Sequence, residues 1–180
     1  DAMTAHTQPR DWTTTPGHEM AGVVERIGPG ISHLHVGDRV AIQHYSGCGT
    51  CLSCRKGWDN HCENNTVYSL DRDGGYQDKV IVAARDCVPL PDSMSFESGA
   101  FLACGASTAY QALNRADLPL GGTVAVIGLG PVGLAVLAWA KAFGLHAFGL
   151  DPVAERRDFA AGLGHDELHH VVEPSPSSET

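Results

Sequence analysis

The sequence has no run of lysine or arginine residues, and its acidic side chains outnumber the basic ones. It contains 12 lysines and arginines against 21 aspartates and glutamates, which gives a formal net charge of −9 at pH 7. Binding to a nucleic acid or to an anionic membrane depends on clustered positive charge. We therefore expect neither a nucleic acid nor a membrane as a partner.

Long apolar runs are also missing. The longest candidate, residues 131–143, is too short to cross a bilayer and contains Lys141. No secretory signal peptide is visible, although the chain starts at Asp1 without a methionine and an upstream segment is expected. The 180 residues are 43% hydrophobic and 18% charged, which is an ordinary globular composition with room for one good core or two small ones.

Four of the six cysteines lie in one short segment, GCGTCLSCRKGWDNHC, with the spacing C-x2-C-x2-C-x7-C. They are Cys48, Cys51, Cys54 and Cys62. Four thiolates this close together can surround one Zn²⁺ as a tetrahedral structural site, which stabilises a fold but performs no chemistry. The alternatives are a disulfide pair or four unrelated buried cysteines. The spacing favours zinc and a reducing compartment, so we expect a cytoplasmic protein.

Two regions of the chain differ in pattern. Residues 1 to about 118 contain short apolar runs separated by Gly, Pro and Asp, such as AGVVERIG, GDRVAIQHY, GGYQDKVIVAA and DCVPLP. This pattern predicts antiparallel, barrel-like β-structure, followed by a helical segment rich in small residues over 94–113. From Gly121 onwards, strands alternate with helices. A last weak strand is predicted around 169–172, before a polar tail that we expect to be frayed.

A glycine fingerprint lies at the start of the second region. Thr123–Ile127 is a β-branched run that predicts a buried parallel strand, and GLGPVG follows it before a helical segment that ends at Gly144. Gly128, Gly130 and Gly133 form the G-x-G-x-x-G motif of dinucleotide-binding sites. The next predicted strand, HAFGL, ends at Asp151, about 20 residues further on, where an acid can bind the adenosine ribose. Pro152 is predicted in the first turn of the next helix. The alternative is a glycine-rich turn that binds nothing.

A second group of possible metal ligands is less clear from spacing. His18 and Glu19 lie in GHEMAG, and Cys104 lies in the small-residue turn LACGAST. A lone histidine is more often a packed or surface residue than a ligand, and a lone cysteine is more often a core residue. Spacing alone does not pair His18 with Cys104. Cys87 has no partner pattern and is interpreted as structural.

Taken together, these segments resemble the zinc-dependent medium-chain alcohol dehydrogenase family over nearly the whole chain. The family signature, G-H-E-x2-G-x5-G-x2 followed by a small or aliphatic residue, is present as Gly17, His18, Glu19, Gly22, Gly28 and Ile31. The four-cysteine lobe, GDRV, GGY and GLGPVG occur in the order of the family. The resemblance implies a GroES-like β-barrel catalytic domain over residues 1–118, with a structural zinc lobe at 48–62. It also implies an incomplete, doubly wound Rossmann-type NAD-binding domain over 119–180.

The resemblance also implies roles for individual residues. His18 and Cys104 are similar to two ligands of a catalytic zinc, and Glu19 to the acid behind that metal, which can ligate it transiently. Thr108 corresponds to a nicotinamide contact, and Asp151 and Arg156 to the groups beside the adenosine ribose. Two zinc ions per intact chain and NAD rather than NADP are the implied cofactors. Arg156 and Arg157 are the counter-evidence, because arginines can bind the 2′-phosphate of NADP.

The sequence departs from the family pattern before His18, where no cysteine is present. The family places a first catalytic cysteine in C-x-x-D, and Asp1 falls near the position of that aspartate. We therefore expect a fragment of an enzyme about twice as long, with the missing ligand just upstream and with no activity as it stands.

The implied reaction is hydride transfer between an alcohol or polyol and NAD, giving an aldehyde or ketone. Alternatives are a carbonyl reductase or a sugar or polyol dehydrogenase of the same family. A non-catalytic, zinc-stabilised NAD-binding module is the alternative of another class. The expected partners are a small-molecule alcohol or carbonyl compound and, in the intact protein, further copies of the same chain.

Overall fold

The structure, a computed structural model, describes residues 13–165 and 167–170. The chain divides into two compact units, residues 1–104 and residues 105–180. Asp1, the polar tail from residue 173 and the end of the predicted strand at 171–172 lie outside the described residues. The domain boundary expected at residues 118 and 119 stays a prediction, because compactness does not test whether a segment folds alone.

The first unit is built from short strands and helices. Its strands are β1 (Met20–Val23), β2 (Arg39–Ile42), β3 (Tyr45–Ser46), β4 (Thr66–Val67) and β5 (Cys87–Pro89). Its helices are α1 (Leu52–Arg55) and α2 (Phe96–Phe101), with 3₁₀ turns at Asp59–His61 and Ala84–Asp86. A π-helical segment, Leu102–Ala106, follows α2.

Antiparallel pairing organises this unit, as the alternating pattern predicts. Strands β1, β2 and β5 form one sheet in that order, with Met20 opposite Ile42 and Ala41 opposite Val88. Strands β3 and β4 form a separate antiparallel pair. The buried core behind the first sheet consists of Met20, Leu34, Val40, Ile42 and Tyr68. Glu19 directly precedes β1 and His18 lies one residue before it, so both residues enter the sheet at the start of this strand.

The segment GGYQDKVIVAA differs from the prediction of a strand. Residues 77–83 are irregular, and no ladder in the described part of the chain includes them. Val80 and Val82 still pack against the core, whereas Ile81 is 93% exposed. The alternating pattern therefore indicates which side chains face the core. An extended segment can place alternate side chains in the core without pairing with a neighbouring strand.

The second unit alternates helices with parallel strands. Its elements are α3 (Ser107–Ala116), β6 (Thr123–Ile127), α4 (Pro131–Ala142), β7 (His146–Leu150), α5 (Ala154–Gly162) and β8 (Leu168–His169). The three strands pair in parallel in the order β6-β7-β8, with Thr123 opposite His146 and Gly149 opposite Leu168. Val126, Leu129, Leu137 and Ala160 form its core. This order is that of the first three strands of a doubly wound sheet.

Three details of the second unit correct the sequence predictions. Strand β6 is only partly buried: Val126 lies in the core, but Ile127 is 82% exposed, because β6 is an edge of the described sheet and pairs only with β7. Pro152 lies before α5 rather than in its first turn, since Val153 is the N-cap. The last strand, β8, begins one residue earlier than predicted and shares His169 with the predicted segment.

The helical character predicted for residues 94–113 is confirmed. Helix α2 begins after Ser95, whose side-chain oxygen accepts the backbone N–H of Ser98 at 3.2 Å. The π-helical segment that follows contains Cys104, and such segments are frequent at functional sites. No helix in residues 13–165 and 167–170 has the length and apolar character that crossing a membrane requires.

Candidate metal and cofactor sites

The cysteine lobe brings four sulfur atoms together. The Sγ atoms of Cys48, Cys51, Cys54 and Cys62 all lie within 4.8 Å of one another, and those of Cys48 and Cys54 are 4.0 Å apart. A tetrahedral zinc with bonds of about 2.3 Å requires neighbouring sulfurs about 3.8 Å apart. Backbone N–H groups donate to the sulfurs, as from Cys48 to Cys62 Sγ at 3.4 Å. The set fits a Zn²⁺ closely.

Two of these thiols, those of Cys48 and Cys54, have shifted pKa values. Hydrogen bonds from Thr50 lower the pKa of Cys48 to about 6, whereas loss of hydration raises the pKa of Cys54 to about 12. All six cysteines lie among the described residues, and none of them is in a disulfide bond. The disulfide alternative is therefore not what the structure contains. Because metal binding requires thiolates, zinc would have to displace the proton of Cys54.

His18, Glu19 and Cys104 form the second group of possible ligands. Their ligand atoms also lie within 4.8 Å of one another, although 86 residues of sequence separate His18 from Cys104. His18 lies two residues before β1, and Cys104 lies in the π-helical segment after α2. One imidazole, one thiol and one carboxylate are donors that suit zinc. The structure thus brings together the pair that spacing alone left open.

The surroundings of Cys104 keep its thiol protonated when no metal is bound. Burial raises its pKa, and the neighbouring Glu19 carboxylate raises it further. A dication between the two groups would reverse this effect, because it stabilises both anions. A thiolate at Cys104 is therefore unfavourable beside Glu19 unless a cation lies between them, so the arrangement fits a cation site.

His44 is a polar group beside this cluster that the sequence analysis missed. Its ring centroid lies 5.2 Å from that of His18 and 4.1 Å from that of Tyr45. His44 is only 9% exposed, and its Nδ1 atom has no hydrogen-bond partner among the described residues. Burial lowers its pKa, with a further contribution from His18. A lone histidine between two strands gives no signal in the sequence, so only the fold could reveal it.

The glycine fingerprint forms the turn between β6 and α4. Gly128 has a φ of +94°, and Gly130 is the N-cap of α4 with no side-chain hydrogen bond at that cap. A Cβ atom at Gly130 would meet nothing within 4 Å, so the backbone is open to a ligand there. A Cβ atom at Gly133 would instead overlap the carbonyl oxygen of Gly128. Each glycine thus has the geometry that a dinucleotide-binding turn needs.

Asp151 lies at the end of β7, directly against this turn. Its Oδ2 atom accepts the backbone N–H of Leu129 at 2.7 Å, and its Oδ1 atom accepts that of Val153 at 2.8 Å. These bonds, first the one from Leu129, hold the pKa of Asp151 below its usual range, and Arg156 Nη1 at 3.4 Å contributes. Asp151 is therefore a carboxylate, with acceptor capacity left on each oxygen.

Other predicted cofactor contacts are accessible. Thr108 lies in the first turn of α3 and is exposed, and the side chain of Arg156 is 56% exposed. Arg157 Nη1 donates to the carbonyl oxygen of Asp151 at 2.6 Å, so that guanidinium supports the end of β7. Within the second unit, the fingerprint, Asp151 and Arg156 are thus brought together.

Known proteins resemble this chain in sequence. The family described as "Alcohol dehydrogenase GroES-like domain" matches residues 1–92. The chain is 42% identical over 154 residues to an alcohol dehydrogenase of Geobacillus stearothermophilus, covering 84% of this chain and 45% of that protein. It is 40% identical over 151 residues to the uncharacterized zinc-type alcohol dehydrogenase-like protein YphC of Escherichia coli (strain K12), covering 82% of this chain and 43% of that protein.

A solved structure shows the same architecture in both units. Galactitol-1-phosphate dehydrogenase from Escherichia coli matches with a TM-score of 0.80 and 30% identity. The match covers 93% of this chain and 46% of that protein. The chain thus spans about half the length of the relatives that it matches. The GroES-like fold followed by Rossmann-type strands is confirmed. The chain belongs to the zinc-dependent medium-chain alcohol dehydrogenase family.

Proposed function

We propose that the whole protein is a zinc-dependent alcohol dehydrogenase that transfers hydride between an alcohol and NAD. The observation that carries the proposal is the convergence of His18, Glu19 and Cys104 within 4.8 Å. The reaction converts an alcohol and NAD⁺ into an aldehyde or ketone, NADH and a proton. A Zn²⁺ held at this cluster would supply Lewis acidity to the hydroxyl group of the alcohol.

The residues of the chain contribute binding and placement. His18 offers a ring nitrogen and Cys104 a sulfur to the metal, while the exposed Glu19 offers a carboxylate oxygen. The buried ring of His44 contacts His18 and limits its movement. Thr108 is proposed to contact the nicotinamide. In the second unit, the open backbone at Gly130 and the N-terminus of α4 would receive the pyrophosphate.

The cysteine lobe is proposed to hold a second zinc with a structural role. Cys48, Cys51, Cys54 and Cys62 supply all four bonds, so that no coordination position stays open for a substrate. Two zinc ions per intact chain follow from the two clusters. A non-catalytic module would need only the lobe, and the second cluster argues against it.

NAD is proposed over NADP because of the charge at Asp151. A carboxylate held ionised by Leu129 and Val153 accepts a bond from the ribose 2′-hydroxyl and repels a 2′-phosphate. Comparison of kcat/KM for the two cofactors in the full-length enzyme tests this. We expect a preference for NAD that Asp151→Asn reduces and that Arg156→Gln leaves in place. A wild-type preference for NADP would contradict the proposal.

A polyol or sugar alcohol is the second candidate substrate, and His44 favours it. The unpaired, buried Nδ1 atom beside His18 could bind a further hydroxyl group of such a substrate. The similarity to a galactitol-1-phosphate dehydrogenase agrees with this candidate. The test is the ratio of kcat/KM for a polyol to that for a simple alcohol, which His44→Phe should lower. An unchanged ratio would favour the simple alcohol.

The activity itself is tested by formation of NADH from a panel of alcohols with the full-length enzyme. His18→Asn should lower kcat/KM by about a thousandfold, because loss of Lewis acidity removes several kcal/mol of transition-state stabilisation. NAD affinity should not change in that variant. The matched control is His35→Asn, since the His35 side chain is 79% exposed. Equal activity of the two variants would contradict the proposal.

Two further expectations stay predictions. Assembly of the intact enzyme into a homo-oligomer can be measured by light scattering. A cytoplasmic location follows from a cluster that requires reduced cysteines, and fractionation of the source cells would test it.

A further inference from the structure

The side chain of Arg85 extends from the 3₁₀ turn before β5 into the cysteine lobe. Its Nη1 atom donates to the carbonyl oxygen of Gly47 at 2.6 Å, and its Nη2 atom lies 2.7 Å from Asp59 Oδ1. Gly47 immediately precedes the first cysteine, whereas Asp59 lies between the third and the fourth. One guanidinium group thus contacts both ends of the lobe.

The backbone that carries Arg85 is held firmly. Arg85 is the middle residue of the 3₁₀ turn Ala84–Asp86, which leads directly into β5. The carbonyl oxygen of Asp86 accepts the backbone N–H of Gln43 at 2.8 Å, and its buried carboxylate accepts the hydroxyl of Tyr68 at 2.9 Å. These hydrogen bonds hold the turn from which the Arg85 guanidinium reaches the lobe.

The contacts of Arg85 reach the sulfur atoms themselves. The guanidinium lies near enough to Cys54, the buried third cysteine, for the two groups to interact electrostatically. A Cβ atom at Gly47 would lie 2.5 Å from Cys54 Sγ. Gly47, whose carbonyl oxygen Arg85 binds, is therefore packed against Cys54.

We propose that Arg85 is a positioning residue of the lobe, which ties the cysteine cluster to the first sheet and places a positive charge beside Cys54. This inference rests on the structural zinc of the proposed function. Zinc with four thiolates carries a net charge of about −2. A cation beside one of the sulfurs offsets part of that charge and slows the dissociation of the metal. Lysine cannot replace it fully, because the planar guanidinium donates in two directions at once.

The test measures zinc release from a full-length enzyme that carries Cys104→Ser, so that the lobe holds the remaining zinc. A chelating indicator reports the rate. Loss of an outer-shell partner typically weakens metal binding by 10- to 100-fold, so we expect Arg85→Gln to release zinc about tenfold or more faster. Arg85→Lys should give an intermediate rate. Arg55→Gln is the matched control, because Arg55 is exposed although it directly follows Cys54.

A spectroscopic measurement separates this role from a general loss of stability. With Co²⁺ in the lobe, the thiolate-to-cobalt absorption should shift in Arg85→Gln and keep its position in Arg55→Gln. Equal release rates and equal spectra in the Cys104→Ser parent and in its Arg85→Gln and Arg85→Lys forms would overturn the inference. Absence of lobe zinc from the Cys104→Ser parent would instead contradict the structural zinc itself. If Arg85→Gln does not fold, the zinc release rate of Arg85→Lys is the test: a faster rate supports the inference, and an unchanged rate contradicts it.

Discussion

Tyr68 and Asp86 form a buried pair beside the core of the first unit. The Tyr68 hydroxyl donates to Asp86 Oδ2 at 2.9 Å and accepts the backbone N–H of Ala83 at 2.8 Å. Tyr68 is 0% exposed and Asp86 is 3% exposed. One hydroxyl group thus satisfies two buried polar groups of the turn that carries Arg85.

Replacement of Tyr68 by phenylalanine should destabilise the first unit. The change leaves the Asp86 carboxylate and the Ala83 N–H without this partner, and an unpaired buried polar group costs about 1–3 kcal/mol. We expect Tyr68→Phe to lower the free energy of unfolding by about 2 kcal/mol, measured by urea titration. Tyr76→Phe is the control, because Tyr76 is 70% exposed. A loss as large in the control as in Tyr68→Phe would refute the assignment.

Asp86 should make the stability depend on pH. Burial raises its pKa, against the opposing hydrogen bonds from Ser46 and Tyr68. Between the ordinary carboxyl pKa of about 4 and the raised value, the folded state binds more protons than the unfolded state. Stability from this group is therefore present at low pH and decreases as the pH rises through that window.

The comparison that isolates this group is wild type against Asp86→Asn. An amide can still accept from Tyr68 but does not ionise. We expect the free energy of unfolding of Asp86→Asn to increase relative to that of wild type as the pH rises through the window. A difference that stays constant with pH would show that Asp86 does not titrate there.

The turn between β6 and α4 depends on close approach of the helix to the strand. At Gly133, a Cβ atom would overlap the Gly128 carbonyl oxygen. We expect Gly133→Ala to cost about 1–3 kcal/mol, as is typical of overpacking, and to weaken NAD binding measured by calorimetry.

The matched control is Gly162→Ala, the same substitution at the last residue of α5. Nothing lies within 4 Å of a Cβ atom at Gly162. Alanine there should be neutral or stabilise the helix by up to about 1 kcal/mol, because glycine loses more conformational freedom on folding. Equal effects of the two substitutions on NAD binding would contradict the role of Gly133.

The sequence predicts correctly those features whose residues lie close together in the chain. The turn glycines, the four cysteines and the strands β6 and β7 belong to this class, because each depends on spacing within about 20 residues. The pairing of His18 with Cys104 required the family resemblance. Spacing could not reveal Arg85 or His44, since their partners are set by how β2, β3 and β5 pack.

The exposed edge of β6 shows that a sequence pattern can predict a strand without predicting its burial. A β-branched run predicts a strand, but burial depends on which neighbours pair with it, and in the described sheet β6 pairs only with β7. The same holds for residues 77–83, whose alternation fits a core-facing segment without a partner strand.

The two clusters of possible metal ligands have different proposed roles, one structural and one catalytic. In the proposed function, Cys48, Cys51, Cys54 and Cys62 would surround a zinc without an open position, whereas His18, Glu19 and Cys104 would leave one for a substrate. The central claim is that these are two separate zinc sites and that only the second one is needed for the reaction.

The most direct test is the zinc content of the full-length enzyme, measured by mass spectrometry together with alcohol oxidation. Wild type should contain two zinc ions per chain. Cys104→Ser should contain one and be inactive, while Cys87→Ser, at a half-buried cysteine outside both clusters, should contain two and remain active. A Cys104→Ser enzyme that retains two zinc ions, or that oxidises alcohol at the wild-type rate, would contradict the account.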